Sequence, residues 1–347
     1  MEINRRQFLI KTSSSLAAGW ALANGILRPN SAAAEEVIAP TFVTPVFLMT
    51  YSPKVKVYDY RPVVNNVSGT ATTVIFERTI KNITKLYSLD LTTPGATPTL
   101  AFPALKAQSL RADWSWVTNT VVFMNTTDGI YLSTDPTKPI PNTTKMSYPT
   151  WYPDGTHLAI YNNRKHRPAL PIPRTSKMDL TGTVLNPMLA NDTVWAGFPS
   201  VNQTNPNLIA FAGQVVKPGT AYNQNKNYIW LTDNSTPTPT VRTLDPGIPK
   251  KPFDPKYQGR ASWYSPDGNW IAFESNRSNS KDQYSIYIQK ADGSTPAVQV
   301  TDPGWNANHA KWYPNGTSLV VTVLQTKGAP LGSDRGIASL DVSAFVS

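Results

Sequence analysis

The side chains of this chain that could do chemistry are mostly cationic. Arg164-Lys165-His166-Arg167 sets three fixed charges and an imidazole side by side, with no acid between Asn162 and Lys177. Lys250, Lys251 and Arg260 add charge further on, and Tyr222, Tyr257, Trp305 and His309 supply rings. Clustered ammonium and guanidinium groups attract anions, aromatic rings stack on sugars, and an imidazole beside a phenol can move a proton. Two functions follow. The first, and preferred, is a non-enzymatic binding or scaffold protein that engages an anionic ligand through Arg164, Lys165, His166, Arg167, Tyr222, Lys250, Lys251, Tyr257, Arg260, Trp305 and His309. The second is a carbohydrate-active enzyme, a lyase or hydrolase on an anionic glycan, using His166 or His309 with Tyr222 or Tyr257.

Other chemistries are excluded by what the chain lacks. It has no cysteine, which removes disulfides, thiolate metal sites and cysteine nucleophiles. Its histidines are His157, His166 and His309 alone, too few for a multi-histidine metal centre. No G-x-S-x-G elbow, glycine-rich phosphate loop or D-x-D-x-D calcium loop occurs. Neither a cofactor nor a metal is expected.

The elements that must position these residues repeat along the chain. An aromatic, a Pro-Asp-Gly-type turn and an alternating apolar strand recur as Trp151-Tyr-Pro-Asp-Gly-Thr-His-Leu-Ala-Ile160, Tyr264-Ser-Pro-Asp-Gly-Asn-Trp-Ile-Ala-Phe273 and Trp312-Tyr-Pro-Asn-Gly-Thr-Ser-Leu-Val-Val321. Trp114 and Phe123 keep the spacing over a degraded turn, Val117-Thr118-Asn119, and weaker copies end at Phe211 and Phe76. Proline presets the φ of a type I turn, Asp suits its next position, and glycine accepts the left-handed residue that follows. Third strands such as Tyr284–Gln289 and a fourth, Ala297–Thr301, complete four antiparallel strands per copy. Six such copies at a period of about 50 residues predict an all-β, six-bladed β-propeller of four-stranded antiparallel blades, with seven blades as the alternative. The repeat aromatics Trp114, Trp151, Tyr264 and Trp312 read as blade packing.

Tyr264 to Thr301 resembles the repeat of the TolB-like propellers, with its turn YSPDG, strand IAF, then SNR, SIYI, ADGS and QVT. The resemblance runs from about Val67 to Ser347 and implies the fold; the functions of that family are diverse, so none comes with it. The last copy lacks a fourth strand, and the segment 35–66 is expected to close the ring with Phe42–Thr50 or Lys54–Tyr60, leaving 67–347 as the propeller. Long loops fall on the face of the strand 2–3 connections and blade junctions. These segments hold fifteen basic residues against five acids, a net of +10, while the rest of the mature chain comes to −3. An electropositive face and ordinary solubilising loop charge both fit that pattern. A central channel lined by two or more acids, or by an Arg–His–Tyr cluster, would favour the enzyme, and a plugged channel would favour binding.

At the start, Arg5-Arg6-Gln7-Phe8-Leu9, a short apolar run from Leu16 to Leu27 and Ala32-Ala33-Ala34 look like a bacterial twin-arginine signal, cleaved after residue 34. The run is too short and interrupted to span a bilayer, so no transmembrane anchor is expected after cleavage, and the protein should be periplasmic or secreted. The full chain carries +10; removing the four bases and one acid of residues 1–34 leaves +7. The expected partner is an anionic polysaccharide, an anionic lipid surface or an acidic protein, and not nucleic acid.

Overall fold

The turns close as their residues dictate. In a computed structural model of the chain, Gly155, Gly268 and Gly316 take φ of +66°, +76° and +70°, and Asn119 takes +53° at the same place in the second copy. The Asp154 carboxylate accepts the Thr156 N–H at 2.8 Å and that of Asp267 accepts the Asn269 N–H at 3.1 Å, which pins each turn. The structure describes residues 42–51, 56–105, 108–125, 127–162, 174–186, 189–190, 194–215, 227–244, 257–279 and 282–346.

Strand β1 (Val46–Phe47) precedes the repeats. The first repeat is β2 (Tyr58–Val64), β3 (Thr73–Ile80), β4 (Ile83–Asp90) and β5 (Thr99–Leu100), and the second is β6 (Leu110–Trp114), β7 (Val121–Asn125), β8 (Gly129–Leu132) and β9 (Asp135–Pro139). Next come β10 (Met146–Trp151), β11 (His157–Asn162), β12 (Arg174–Asp179) and β13 (Val184–Asn186). The fourth repeat is β14 (Val194–Val201), β15 (Leu208–Val215), β16 (Tyr228–Asp233) and β17 (Thr240–Thr243). The fifth is β18 (Gly259–Tyr264), β19 (Trp270–Ser275), β20 (Ser285–Lys290) and β21 (Val298–Gln299), and β22 (Asn308–Trp312), β23 (Ser318–Leu324) and β24 (Arg335–Asp341) end the chain.

Sheet pairing corrects the expected blade count. The described strands form an all-β propeller with four blades of four-stranded antiparallel sheet, β6–β9, β10–β13, β14–β17 and β18–β21, and not six or seven such blades. The first and last repeats are instead fused into one eight-stranded sheet, ordered β22-β23-β24-β2-β3-β4-β5 with β1 also on β24. Counting copies along the sequence treats every copy as its own sheet. Here β2 runs parallel to β24 through the pair Tyr58 and Arg335, and β1 pairs antiparallel with β24 through Val46–Ser339 and Phe47–Ala338. Those two pairings join what the repeats alone would leave separate.

Phe76, Phe123, Ile160, Phe211, Phe273 and Val321, one in each second strand, are all at most 1% exposed, and Phe123, Ile160, Phe273 and Val321 anchor clusters between neighbouring sheets. Tyr51 ties the closing sheet together. Its hydroxyl donates to Asp59 Oδ2 at 3.0 Å and accepts the Ile337 N–H at 2.8 Å, while Asp59 takes a bidentate Arg78 at 2.8 and 2.7 Å. Residues 41–347 form one compact unit. Among the described residues no helix is long and apolar enough to cross a membrane.

Candidate functional site

The first strand of every repeat carries the same irregularity. The register of β2, β6, β10, β14, β18 and β22 against its neighbour slips by one residue. At each slip one residue is left-handed: Arg61, Arg111, Tyr148, Phe198, Ala261 and His309, with φ between 50° and 55°. Such backbone costs about 1–3 kcal/mol per residue and concentrates where function needs it. Pro62, Pro149 and Pro199 follow three of these residues; proline has no N–H to pair and is at home in a bulge. All six bulge residues line one axial cavity of about 60 Å³.

Second-strand side chains staple the bulges across to the next repeat. Arg61 N–H donates to Thr322 Oγ1 at 3.1 Å, Arg111 N–H to Glu77 Oε1 at 2.8 Å and His309 N–H to Glu274 Oε2 at 2.8 Å. Thr322, Glu77 and Glu274 are equivalent residues, each facing the position just before its own bulge; Met124 and Ala212 stand there in other repeats. The same carboxylates hold the cations. Glu77 sits 2.8 Å from Arg61 Nη1 and 3.9 Å from Arg111 Nε, and Glu274 pairs with Arg260. Arg335, buried on β24, donates to Asn306 O at 2.9 Å and Asn308 Oδ1 at 2.7 Å, and lies against the Tyr60 ring at 5.3 Å.

The electrostatics follow from this crowding. Burial, then the charges of Arg61, Arg260, Arg111 and Arg335, push His309 well below the ordinary imidazole range and keep it neutral. Burial and then Arg61 also lower Arg111. Burial raises the Tyr60 hydroxyl, against the pull of Arg335 and Arg61, and the Tyr60 and His309 rings lie 5.8 Å apart. Arg61 Nε and Arg111 Nη1 are buried with no hydrogen-bond partner among the described residues. Beside Arg111 the cavity turns aromatic. Tyr148 lies 4.0 Å from Phe198 and 6.1 Å from Tyr161, and Arg111 stacks on Tyr148 at 4.2 Å.

Lys311 and Trp263 border both this cavity and a second one, toward the strand 1–2 turns, lined by Trp114, Trp116, Trp151 and Trp312. The Lys311 ammonium lies 3.6 Å from the Trp263 ring centroid and donates to Asp113 Oδ1 at 2.7 Å; burial lowers its pKa and Asp113 opposes that. Asp113 also accepts the Trp151 N–H at 2.8 Å. The cavity lining thus carries Arg61, Arg111, His309 and Tyr148, with Glu77 and Glu274 buried behind it and Asp113 on the second cavity, and Lys311 and Trp263 border both.

Of the residues singled out by sequence, Arg260 and His309 meet here at Glu274, on strands β18 and β22 rather than on loops. Tyr257 packs between Arg277, at 4.6 Å, and Tyr228, at 6.0 Å, and Trp305 lies in a short 3-10 turn, Pro303–Trp305, against Phe47 at 6.3 Å. Neither joins the cavity lining. Arg164, Lys165, His166, Arg167, Tyr222, Lys250 and Lys251 lie outside the described residues. Sequence reading missed Arg61, Arg111, Glu77 and Glu274. A positional signal exists for Arg111: the bulge residue stands three positions before the repeat aromatic, as Arg111 before Trp114, Tyr148 before Trp151, Ala261 before Tyr264 and His309 before Trp312, whereas Val64 stands at that place after Arg61.

Neither a protein-family model nor a curated protein sequence matches the chain. Solved structures do. A putative TolB from Agrobacterium tumefaciens superposes with a TM-score of 0.53 at 15% identity, covering 71% of this chain and 81% of its own. The fold is TolB-like. A gluconolactonase from Xanthomonas campestris also reaches a TM-score of 0.53, at 9% identity over 86% of this chain and 89% of its own. An oligogalacturonate lyase from Vibrio parahaemolyticus superposes at 0.47, with 14% identity over 87% of this chain and 97% of its own. At such identities the likeness is one of fold, and what this TolB-like propeller does must be argued from its cavity.

Proposed function

We propose that the chain is an exported binding propeller that takes an anionic ligand at the mouth of its axial cavity. The observation that carries this is the arginine pair. Arg61 and Arg111 share one carboxylate, Glu77, and each keeps a buried donor without a partner among the described residues. Both arginines line the cavity, so an anion at its mouth would lie beside two guanidinium groups that share one counter-charge. Arg260 and Arg335, with Glu274, add a second net positive charge behind the lining at His309, so the surroundings of the cavity are cationic overall. Export rests on the Arg5-Arg6 segment, and the partner is of the anionic saccharide kind, with Arg164, Lys165 and Arg167 extending the attraction. Calorimetric titration with glucuronate, benzoate, acetate, sulfate and inorganic phosphate tests the binding reading. At least one should bind the wild type, weaken with added salt, and bind the Arg61→Gln, Arg111→Gln double variant at least ~10-fold more weakly. Absence of binding by every anion would refute it.

A second reading, a carbohydrate-active enzyme on an anionic glycan, has one observation in its favour. A neutral imidazole, His309, lies beside the Tyr60 ring within an arginine cluster that could hold a carboxylate. Polyuronate incubated with the protein should then yield new reducing ends, and His309→Gln should abolish them.

A further inference from the structure

We infer that the hairpin of β3 and β4 seats the protein on an anionic lipid surface, entering the headgroup layer with the isoleucine pair at its tip. The hairpin tip lines neither axial cavity.

The tip is apolar where a core has no use for it. Ile80 and Ile83 face each other across the two-residue turn Lys81-Asn82, and are 38% and 55% exposed. Lys81 and Asn82 take φ of 50° and 66°, the left-handed backbone of a tight hairpin turn. The ladder of β3 and β4 runs without a slip from Thr73–Asp90 to Ile80–Ile83. The main chain is therefore paired up to the turn and can leave water without stranding donors. Just behind the isoleucines, the Thr79 and Thr84 hydroxyls bond to each other at 2.7 Å. Arg78, bidentate on Asp59, fixes the base of the hairpin to β2.

Charge selects the surface. Lys81 stands at the apex and Lys56 is exposed just before β2. The acids between Tyr58 and Leu89 are Asp59 and Glu77, both buried and paired with Arg78 and Arg61. The far ends of the third strands carry the opposite sign: Asp90, Asp179, Asp233 and Asp341 close β4, β12, β16 and β24. Ile83 and Asp90 are the two ends of β4, roughly 23 Å apart at ~3.3 Å per residue. That exceeds the ~8 Å screening length at physiological salt, so the acids do not cancel the attraction at the tip. An anionic surface repels the aspartate face and draws in the face that bears the hairpin.

Size separates a lipid from a protein partner. Two isoleucines and a lysine on one turn offer far less than the ~1,200–2,000 Å² that a specific protein interface buries. A lipid surface asks for less: a few aliphatic groups at the acyl boundary, and a lysine whose stem follows them while its ammonium stays among the headgroups. Leu331, also exposed, lies on the connection between β23 and β24, which the Tyr58 hydroxyl ties to β2 through Gly332 O. It adds a third aliphatic group on the same face.

Flotation of the mature protein with extruded vesicles reads the binding, with phosphatidylcholine alone and with an equimolar mixture of phosphatidylcholine and phosphatidylglycerol. The wild type should partition at least ~10-fold more strongly onto the anionic vesicles, and added salt should release it. Ile80→Ser with Ile83→Ser should weaken partition roughly 10-fold, and Lys81→Ser about 5-fold. Val117→Ser changes a residue that is 67% exposed on the strand 1–2 turn of the second repeat, at the other face, and should alter nothing. Should the serine pair fail to fold, Ile83→Trp keeps the tip apolar, and its added indole emission should be quenched by lipids brominated in their acyl chains. Anionic flotation that survives the serine pair would mark plain adsorption of the basic face and overturn the inference. So would a Val117→Ser loss as large as that of the pair, or an unquenched indole. No flotation with either vesicle would overturn it too and leave the tip to a protein partner.

Discussion

Glu274→Ala is the sharpest test of how the cavity is held together. The carboxylate is fully buried, accepts the His309 N–H at 2.8 Å and pairs with Arg260. Removing it strands two groups. A hydrogen bond to a charged acceptor contributes about 1.5–3 kcal/mol, and breaking a buried pair from one side costs about 3–5 kcal/mol. The Arg260 side chain is 32% exposed and can turn partly to water, which places the expected loss near the lower end, at about 3 kcal/mol. Glu274→Gln keeps an oxygen for the His309 N–H and should cost about half as much. Repeat two offers an internal control: Leu110 and Met124 occupy the positions that Arg260 and Glu274 fill in repeat five. Arg260→Leu with Glu274→Met removes both charges at once, so it should cost less than Glu274→Ala alone. Urea unfolding at neutral pH reads all three. An alanine variant within about 1 kcal/mol of wild type, or a glutamine variant as damaged as the alanine, would refute the staple argument.

Three further outcomes follow from the same structure. Because the folded protein holds His309 below its unfolded value, protonation opposes folding: stability should be flat above about pH 6.5 and fall by up to ~1.4 kcal/mol per unit below it, and a His309→Gln variant that loses as much stability as wild type between pH 7.5 and 5.5 would contradict this. Tyr51→Phe removes the hydroxyl that joins Asp59 to Ile337 and should lower unfolding stability by about 1–3 kcal/mol, with an unchanged urea midpoint as the contrary result. Phe211→Ala empties a fully buried site against Ala190, Val194 and Ala196 and should cost about 3–5 kcal/mol by the same assay, where a loss below 1 kcal/mol would mean that β15 does not pack as described.

The repeats were legible because their signal is local. The turn glycines do take left-handed backbone, and residues such as Phe123 and Ile160 do sit at the buried centres of second strands. The count of sheets was not legible, since it depends on pairings between Tyr58 and Arg335 that no local pattern encodes. The cavity was partly hidden for a different reason. Its defining feature is a backbone bulge filled by Arg, Tyr, Phe, Ala or His, so no residue type marks it. A search for acids on the inner strands passes over Glu77 and Glu274, because both sit on second strands, buried behind the lining. Arg260, Arg335 and His309 read as loop residues from their charge and their neighbours, yet each belongs to a strand, where burial and not solvent sets its chemistry.

The eight-stranded sheet has a consequence for synthesis. Strand β1 emerges from the ribosome well before its partners, since Val46 pairs with Ser339 and Phe47 with Ala338, almost three hundred residues later. At about 5–20 residues per second, the early strand waits on the order of tens of seconds with its apolar side chains uncovered. The middle sheets can form as hairpins while translation proceeds; the sheet that holds both ends cannot. A ribosome stalled before Arg335 would therefore hold an unlatched ring, and synthesis of β24 would be the event that lets β1 and β2 find their partners.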